Sequence, residues 1–202
     1  MTNGYHIGDQ AAPHFLTFTI VDWVDIFTRK KYRDLFLESL KFCQKNKGLE
    51  LYAFVIMSNH VHLIIQSKFG KLSDLVRDFK KYTARNIIDD LLSENSGESR
   101  SEWMLKRFEF AARSNRRNSD FQLWKYGNRP MEIYSEPFLW QKINYIHMNP
   151  VRAGWVKRAS EYMYSSASNF VGITGILDFE LPSIPIIDSV SSKSIIQDIE
   201  NW

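Results

Sequence analysis

The sequence predicts an α+β domain, an antiparallel sheet covered on one face by helices in the split βαβ arrangement. Three observations predict it. Short β-branched and aromatic runs alternate with longer stretches of helical period. Two of those runs are joined through a short turn at Ser58-Asn59, which suits a tight hairpin. The order reads strand, helix, strand, strand, helix, with a further strand afterwards. At 202 residues the chain is expected to form one domain, with a core at about 14–170 and a C-terminal extension at 171–202.

Each element has its own reason. His14–Asp22 alternates Phe15, Thr17 and Thr19 against Leu16, Phe18 and Ile20, and reads as a strand with two non-equivalent faces. Lys30–Lys47 carries Tyr32, Leu35, Phe36, Leu40 and Phe42 near a helical period, and Gly48 stops it. Leu49–Met57 and Val61–Gln66 are the hairpin strands. Lys71–Leu92 is a long amphipathic helix, with Lys80, Lys81 and Arg85 on its exposed side. Ser93–Ser101 is almost free of apolar residues and reads as a flexible loop. Ser101–Ala112 follows as a short helix. Phe121–Tyr126 is expected as a strand, with Met131–Tyr134 as its return after the Gly127–Pro130 turn.

Ser135-Glu136-Pro137 is a helix start: a capping hydroxyl, an acid in the first turn, and a proline whose missing N–H costs nothing there. That helix is expected to end near Met148, before Asn149-Pro150. After Tyr164 the chain reads as loop, broken by Pro182 and Pro185. No internal repeat is evident.

Composition narrows the function. A single cysteine, Cys43, excludes an internal disulfide and a multi-cysteine zinc site. The apolar runs are too short for a bilayer, which needs about 20 residues, and the first residues lack the basic start and apolar core of a secretory signal. A cytoplasmic protein with no membrane partner is expected. Charge is uneven. From 104 to 129 there are seven basic residues, Arg116 and Arg117 among them, against two acidic ones. From 159 to 202 there are six acidic residues against Lys193 alone. A basic middle suits an anionic partner such as nucleic acid, with Phe108, Phe110, Phe121, Trp124 and Tyr126 interleaved as possible stacking rings; a solvated charged surface carries the same signature.

Three constellations could carry chemistry. In MSNHVHLII, His60 and His62 are two apart on a strand and share a face, which suits two ligands on one metal or simply a half-exposed strand face. In the helix from Phe138, residues Leu139, Ile143 and Ile146 form an apolar stripe. Gln141, Lys142, Tyr145 and Asn149 form a polar one, placing a phenol beside an ammonium and an amide. In Asn149-Pro150-Val151-Arg152-Ala153-Gly154, the proline ends a helix, the glycine permits a turn, and Arg152 could meet a phosphate.

The segment Met57–Ile65 resembles the HUH motif of single-tyrosine transposases. The later run NYIHMNPVRAGWV, from Asn144 to Val156, with YMYSSA at Tyr162–Ala167, is similar to the REP-associated branch of that superfamily. The resemblance extends over roughly His14 to Phe170. It implies a ferredoxin-like HUH endonuclease fold, with His60 and His62 as the metal-binding pair and Tyr145 as the nucleophile. Asn149 stands where insertion-sequence relatives commonly place a glutamine as third ligand, a departure that keeps the amide oxygen. The implied activity is a DNA strand transferase that nicks and rejoins single-stranded or hairpin DNA through a 5′-phosphotyrosine, with Mg²⁺ or Mn²⁺ bound. Lys142, Arg152, Arg116 and Arg117 would contact DNA, and a homodimer is possible. Two rivals remain at this point: a non-catalytic nucleic-acid-binding module, and a metal-dependent phosphodiesterase that uses water.

Overall fold

The computed structural model describes residues 6–113, 120–127, 129–177 and 189–202. Four strands, β1 (His14–Thr19), β2 (Leu49–Ile56), β3 (His60–Ser67) and β4 (Met131–Glu132), form an antiparallel sheet in the order β2-β3-β1-β4. This is the split βαβ order. Register places Thr17 opposite His62 and Thr19 opposite His60. The β2–β3 turn is closed by Met57 N–H donating to His60 O at 2.9 Å.

Helices α1 (Lys30–Asn46) and α2 (Leu72–Leu92) cover one face of the sheet, and α3 (Ser101–Arg113) packs into the same core. Leu16, Phe18, Val61, Leu63 and Ile65 point into this layer. The opposite face, which the sequence leaves open, is covered too. Phe15, Ala53, Val55 and Ile64 meet Trp140, Ile143 and Ile146 of α4 (Glu136–His147). The reason lies in the strands: β2 and β3 are apolar on both faces over much of their length, so a single helical layer would leave one face wet.

Three further expectations are corrected. Phe121–Tyr126 is not a strand of its own hairpin. It runs along the end of β1, where Val21 N–H donates to Leu123 O at 2.9 Å and Lys125 N–H to Thr19 O at 2.8 Å, while β4 pairs with β1. Residues 93–101 are pinned rather than loose. Glu98 is buried and accepts from Arg29 at 2.6 Å and Arg100 at 3.2 Å, and Arg100 also reaches Asp25 at 2.8 Å. The Arg29 hydrogen bond foremost holds the Glu98 carboxyl down at about 2. A buried ion network has the composition of a loop, which is why the sequence hides it.

The chain beyond Tyr164 is also not simply loop. It forms α6 (Ala167–Phe170) and α7 (Ser189–Glu200), with α5 (Asn149–Arg152) before them continuing from α4 almost without a break. Pro150 lies in the first turn of α5, where its missing N–H costs nothing, and Gly154 leaves that helix at φ +73°. Trp202, 2% exposed, returns onto α4: its indole N–H donates to Asn144 Oδ1 at 2.9 Å and its ring meets His147 at 4.3 Å. Among the described residues, no helix is long and apolar enough to cross a membrane.

A candidate active site between β3 and α4

His60 and His62 lie on the α4 side of the sheet because Val61 and Leu63, of opposite parity, are committed to the α1–α2 core. Their rings are 4.9 Å apart. Each imidazole is held through Nδ1. His60 Nδ1 is 2.7 Å from Asn59 Oδ1, and Asn59 Nδ2 donates in turn to Trp23 O at 3.2 Å, which fixes the amide so that its oxygen faces the histidine. His60 therefore carries its proton on Nδ1 and keeps the Nε2 lone pair. His62 Nδ1 is 2.9 Å from Thr17 Oγ1, and its ring stacks on Phe15 at 5.4 Å.

Burial lowers both histidines, and His62 falls to about 3 because His60 and the Lys142 ammonium add to the cost of charging it. Both rings are thus neutral near pH 7, the state a metal requires. Two imidazoles braced by oxygen partners suit a divalent cation, and the amide that the sequence offers as a third ligand is that of Asn149.

That amide comes from the other side. Ser135 caps α4, its hydroxyl accepting from Phe138 N–H at 3.4 Å, and sets the helix across the sheet. Tyr145, 40% exposed, meets the His62 ring edge-on at 5.3 Å and Phe15 at 5.9 Å. Asn149 donates Nδ2 to Tyr145 O at 2.7 Å, which leaves its Oδ1 outside that bond. The Tyr145 ring has Lys142 Nζ at 5.9 Å and the Arg152 guanidinium at 5.5 Å. A phenol flanked by two cations, beside two neutral imidazoles, can meet a phosphate diester on several sides at once.

The structure thus brings together His60, His62, Tyr145, Asn149, Lys142 and Arg152. The basic middle is described only in part. Arg116 and Arg117 lie outside the described residues. Phe108 and Trp124, two of the rings interleaved in that stretch, belong to the core, at 0% and 6% exposed. Lys106 and Arg113 pair along α3 with Glu102 and Glu109. Lys80, expected on the exposed side of α2, is half-buried over Phe18 and Trp124, and burial lowers it to about 8.

His147 is fully buried, 2.8 Å from Ser166 Oγ through Nε2, and belongs to the core behind α4. Sequence reasoning missed Thr17, Asn59 and Trp23. Asn59 adjoins His60 in the chain, but the facing of Thr17 and His62 depends on strand register. A cavity of 1070 Å³ lies elsewhere, between α1 and α2, lined by Phe42, Cys43, Phe69, Leu75, Phe79 and Tyr82. Tyr82 therefore stands across the sheet from the histidines.

Comparisons with known proteins speak to the family and to the fold. Residues 14–127 match the sequence profile of a family described as Transposase IS200 like. The match takes in β1 to β3, and so both histidines, and stops before α4. No curated protein sequence gives a significant match. Among solved structures, a REP associated tyrosine transposase bound to a REP hairpin is similar in fold. Its TM-score is 0.61 at 17% identity, over 93% of this chain and 100% of that one.

Proposed function

Because the chain belongs to the IS200-like transposase family, we propose that it nicks and rejoins single-stranded or hairpin DNA with Tyr145 as its nucleophile. The observation that carries this reading is the placement of an exposed phenol on α4 edge-on to His62, with Lys142 and Arg152 over the same ring. His60 and His62, with Asn149 as third ligand, would hold Mg²⁺ or Mn²⁺, which supplies charge to polarise the scissile phosphate.

Tyr145 Oη attacks phosphorus in line. A bond from the phenolic oxygen to phosphorus forms as the bond from phosphorus to the DNA 3′ oxygen breaks. The phenol gives up its proton and the departing oxygen takes one up, leaving a 5′-phosphotyrosine and a free 3′-OH. Lys142 and Arg152 offset the negative charge gathered on the phosphate oxygens during that exchange. Because the phosphotyrosine keeps the diester's energy, a 3′-OH can attack it later and rejoin strands without ATP.

Hairpin DNA is the substrate class favoured, since the structurally similar transposase is described bound to a REP hairpin. The test is to incubate the protein with labelled hairpin DNA and Mn²⁺ and resolve the products on a denaturing gel. A covalent adduct is expected. Cleavage without an adduct would replace this reading with a water-using phosphodiesterase, and binding alone with a non-catalytic module.

A further inference from the structure

The rings around the site do not stop at its edges. Beyond His60 stands Trp23, 57% exposed, edge-on to the imidazole at 6.1 Å and with Lys125 Nζ at 5.8 Å from its ring. Its position is held at a cost. Asp22 and Trp23 have φ of 51° and 56°, a left-handed region that non-glycine residues rarely occupy, and least often when bulky. Trp23 N–H bonds back to Ile20 O at 3.1 Å and Asn59 Nδ2 takes its carbonyl, so the surrounding chain enforces the strain. Strain that keeps a large ring in water beside a reactive centre points to a use for the ring.

At the other end, Tyr134, 75% exposed, stacks on Phe138 with centroids 4.7 Å apart and planes 17° from parallel. Lys142 Nζ links that pair to the centre, 5.0 Å from Phe138, 5.2 Å from Phe15 and 5.9 Å from Tyr145. The sequence of groups is then Trp23, His60, His62, Tyr145, Lys142, Phe138, Tyr134, with Lys125 and Arg152 alongside.

We propose that this line is the track of an unpaired DNA strand. Trp23 stacks a base on one side of the scissile phosphate, and the Tyr134–Phe138 pair stacks a base on the other. The proposal rests on the strand-transferase reading for the position of the scissile phosphate. Exposed ring faces interleaved with cations match a single strand, whose bases are free to stack and whose phosphates need neutralising. A duplex offers neither free base face, so the track selects unpaired flanks.

The experiment is a coupling cycle read by binding. The protein carries Tyr145→Phe throughout, so that no chemistry intervenes, and the probes are labelled single strands with one abasic nucleotide moved stepwise across the cleavage site. Trp23→Ala and Tyr134→Ala are each expected to weaken binding to intact strand by roughly 5- to 100-fold, the usual worth of one base–ring stack. An abasic nucleotide at one position should erase the Trp23→Ala penalty, and one on the opposite side of the cleavage site should erase that of Tyr134→Ala. Trp23→Phe and Tyr134→Phe, which keep a ring and the fold, should bind within a few-fold of the parent. Penalties that persist at every abasic position, or that vanish on the same side for both residues, would overturn the track. Failure of wild-type protein to form an adduct would instead count against the transferase reading, leaving the binding cycle to be judged separately.

Discussion

Thr17 and His62 face each other across the β1–β3 pair, and that one contact separates what the sequence discloses from what only the fold does. The shared face of His60 and His62 is legible locally, because a strand repeats every two residues. The Thr17 hydroxyl at 2.9 Å from His62 Nδ1 is not, because it depends on which strands pair and in what register. Partners of this kind orient a ligand imidazole and commonly matter 10- to 100-fold in metal affinity. Thr17→Val, which keeps the shape and loses the hydroxyl, is accordingly expected to raise the Mn²⁺ concentration needed for half-maximal adduct formation by roughly that factor, while hairpin binding stays near wild type. A metal titration of the cleavage rate reads it directly. An unchanged midpoint would remove Thr17 from the site.

At the scale of elements, α4 is the one on which the proposed chemistry depends, and it is supported at both ends. Its start is legible: Ser135, Glu136 and Pro137 announce a helix and the structure caps it there. Its rear support is not. Trp202 closes over His147 and Phe170 and bonds Asn144, but two prolines upstream make the tail read as loop, and nothing local tells a returning helix where to dock. Removing a buried indole of this kind costs about 3 kcal/mol or more. Trp202→Ala should therefore lower the urea midpoint markedly and, where the protein is still folded, slow adduct formation more than hairpin binding. Equal midpoints for variant and parent would show that α4 does not need its tail. The same limit of local reading applies to β4, whose residues Met131 and Glu132 pair with Phe15 and His14 of β1, more than a hundred positions earlier in the chain.

Across the whole molecule, the sheet divides two tasks, an apolar core under α1 and α2 and the histidine–tyrosine site under α4. The charge asymmetry of the sequence counts the cations of the basic middle but does not tell which of them are paired. Cations of α3 are taken up by neighbouring acids, whereas Lys142 and Arg152 stand at the phenol. Acid sensitivity is a further property of the whole. His62 and His147, both lowered to about 3 by burial, take up protons in the unfolded chain below their ordinary 6.5 but resist them when folded. Stability is thus expected to fall as pH drops from about 6.5 towards 3, and Glu98 adds a loss from about 4.5 towards 2. Urea midpoints at pH 7 and pH 5 should differ in that sense, and His147→Leu should narrow the gap; a midpoint that rises at pH 5 would contradict the burial of these rings.

The most direct measurement is to locate the covalent bond, using labelled hairpin DNA, Mn²⁺, and peptide mapping of the adduct in wild-type, Tyr145→Phe and Tyr82→Phe proteins. Tyr145→Phe removes one oxygen and little volume, so fold and hairpin binding should survive. The adduct is expected at Tyr145 in wild type and in Tyr82→Phe, and absent from Tyr145→Phe. An adduct persisting in Tyr145→Phe, or a phosphotyrosine mapped to Tyr82 on the far side of the sheet, would contradict it.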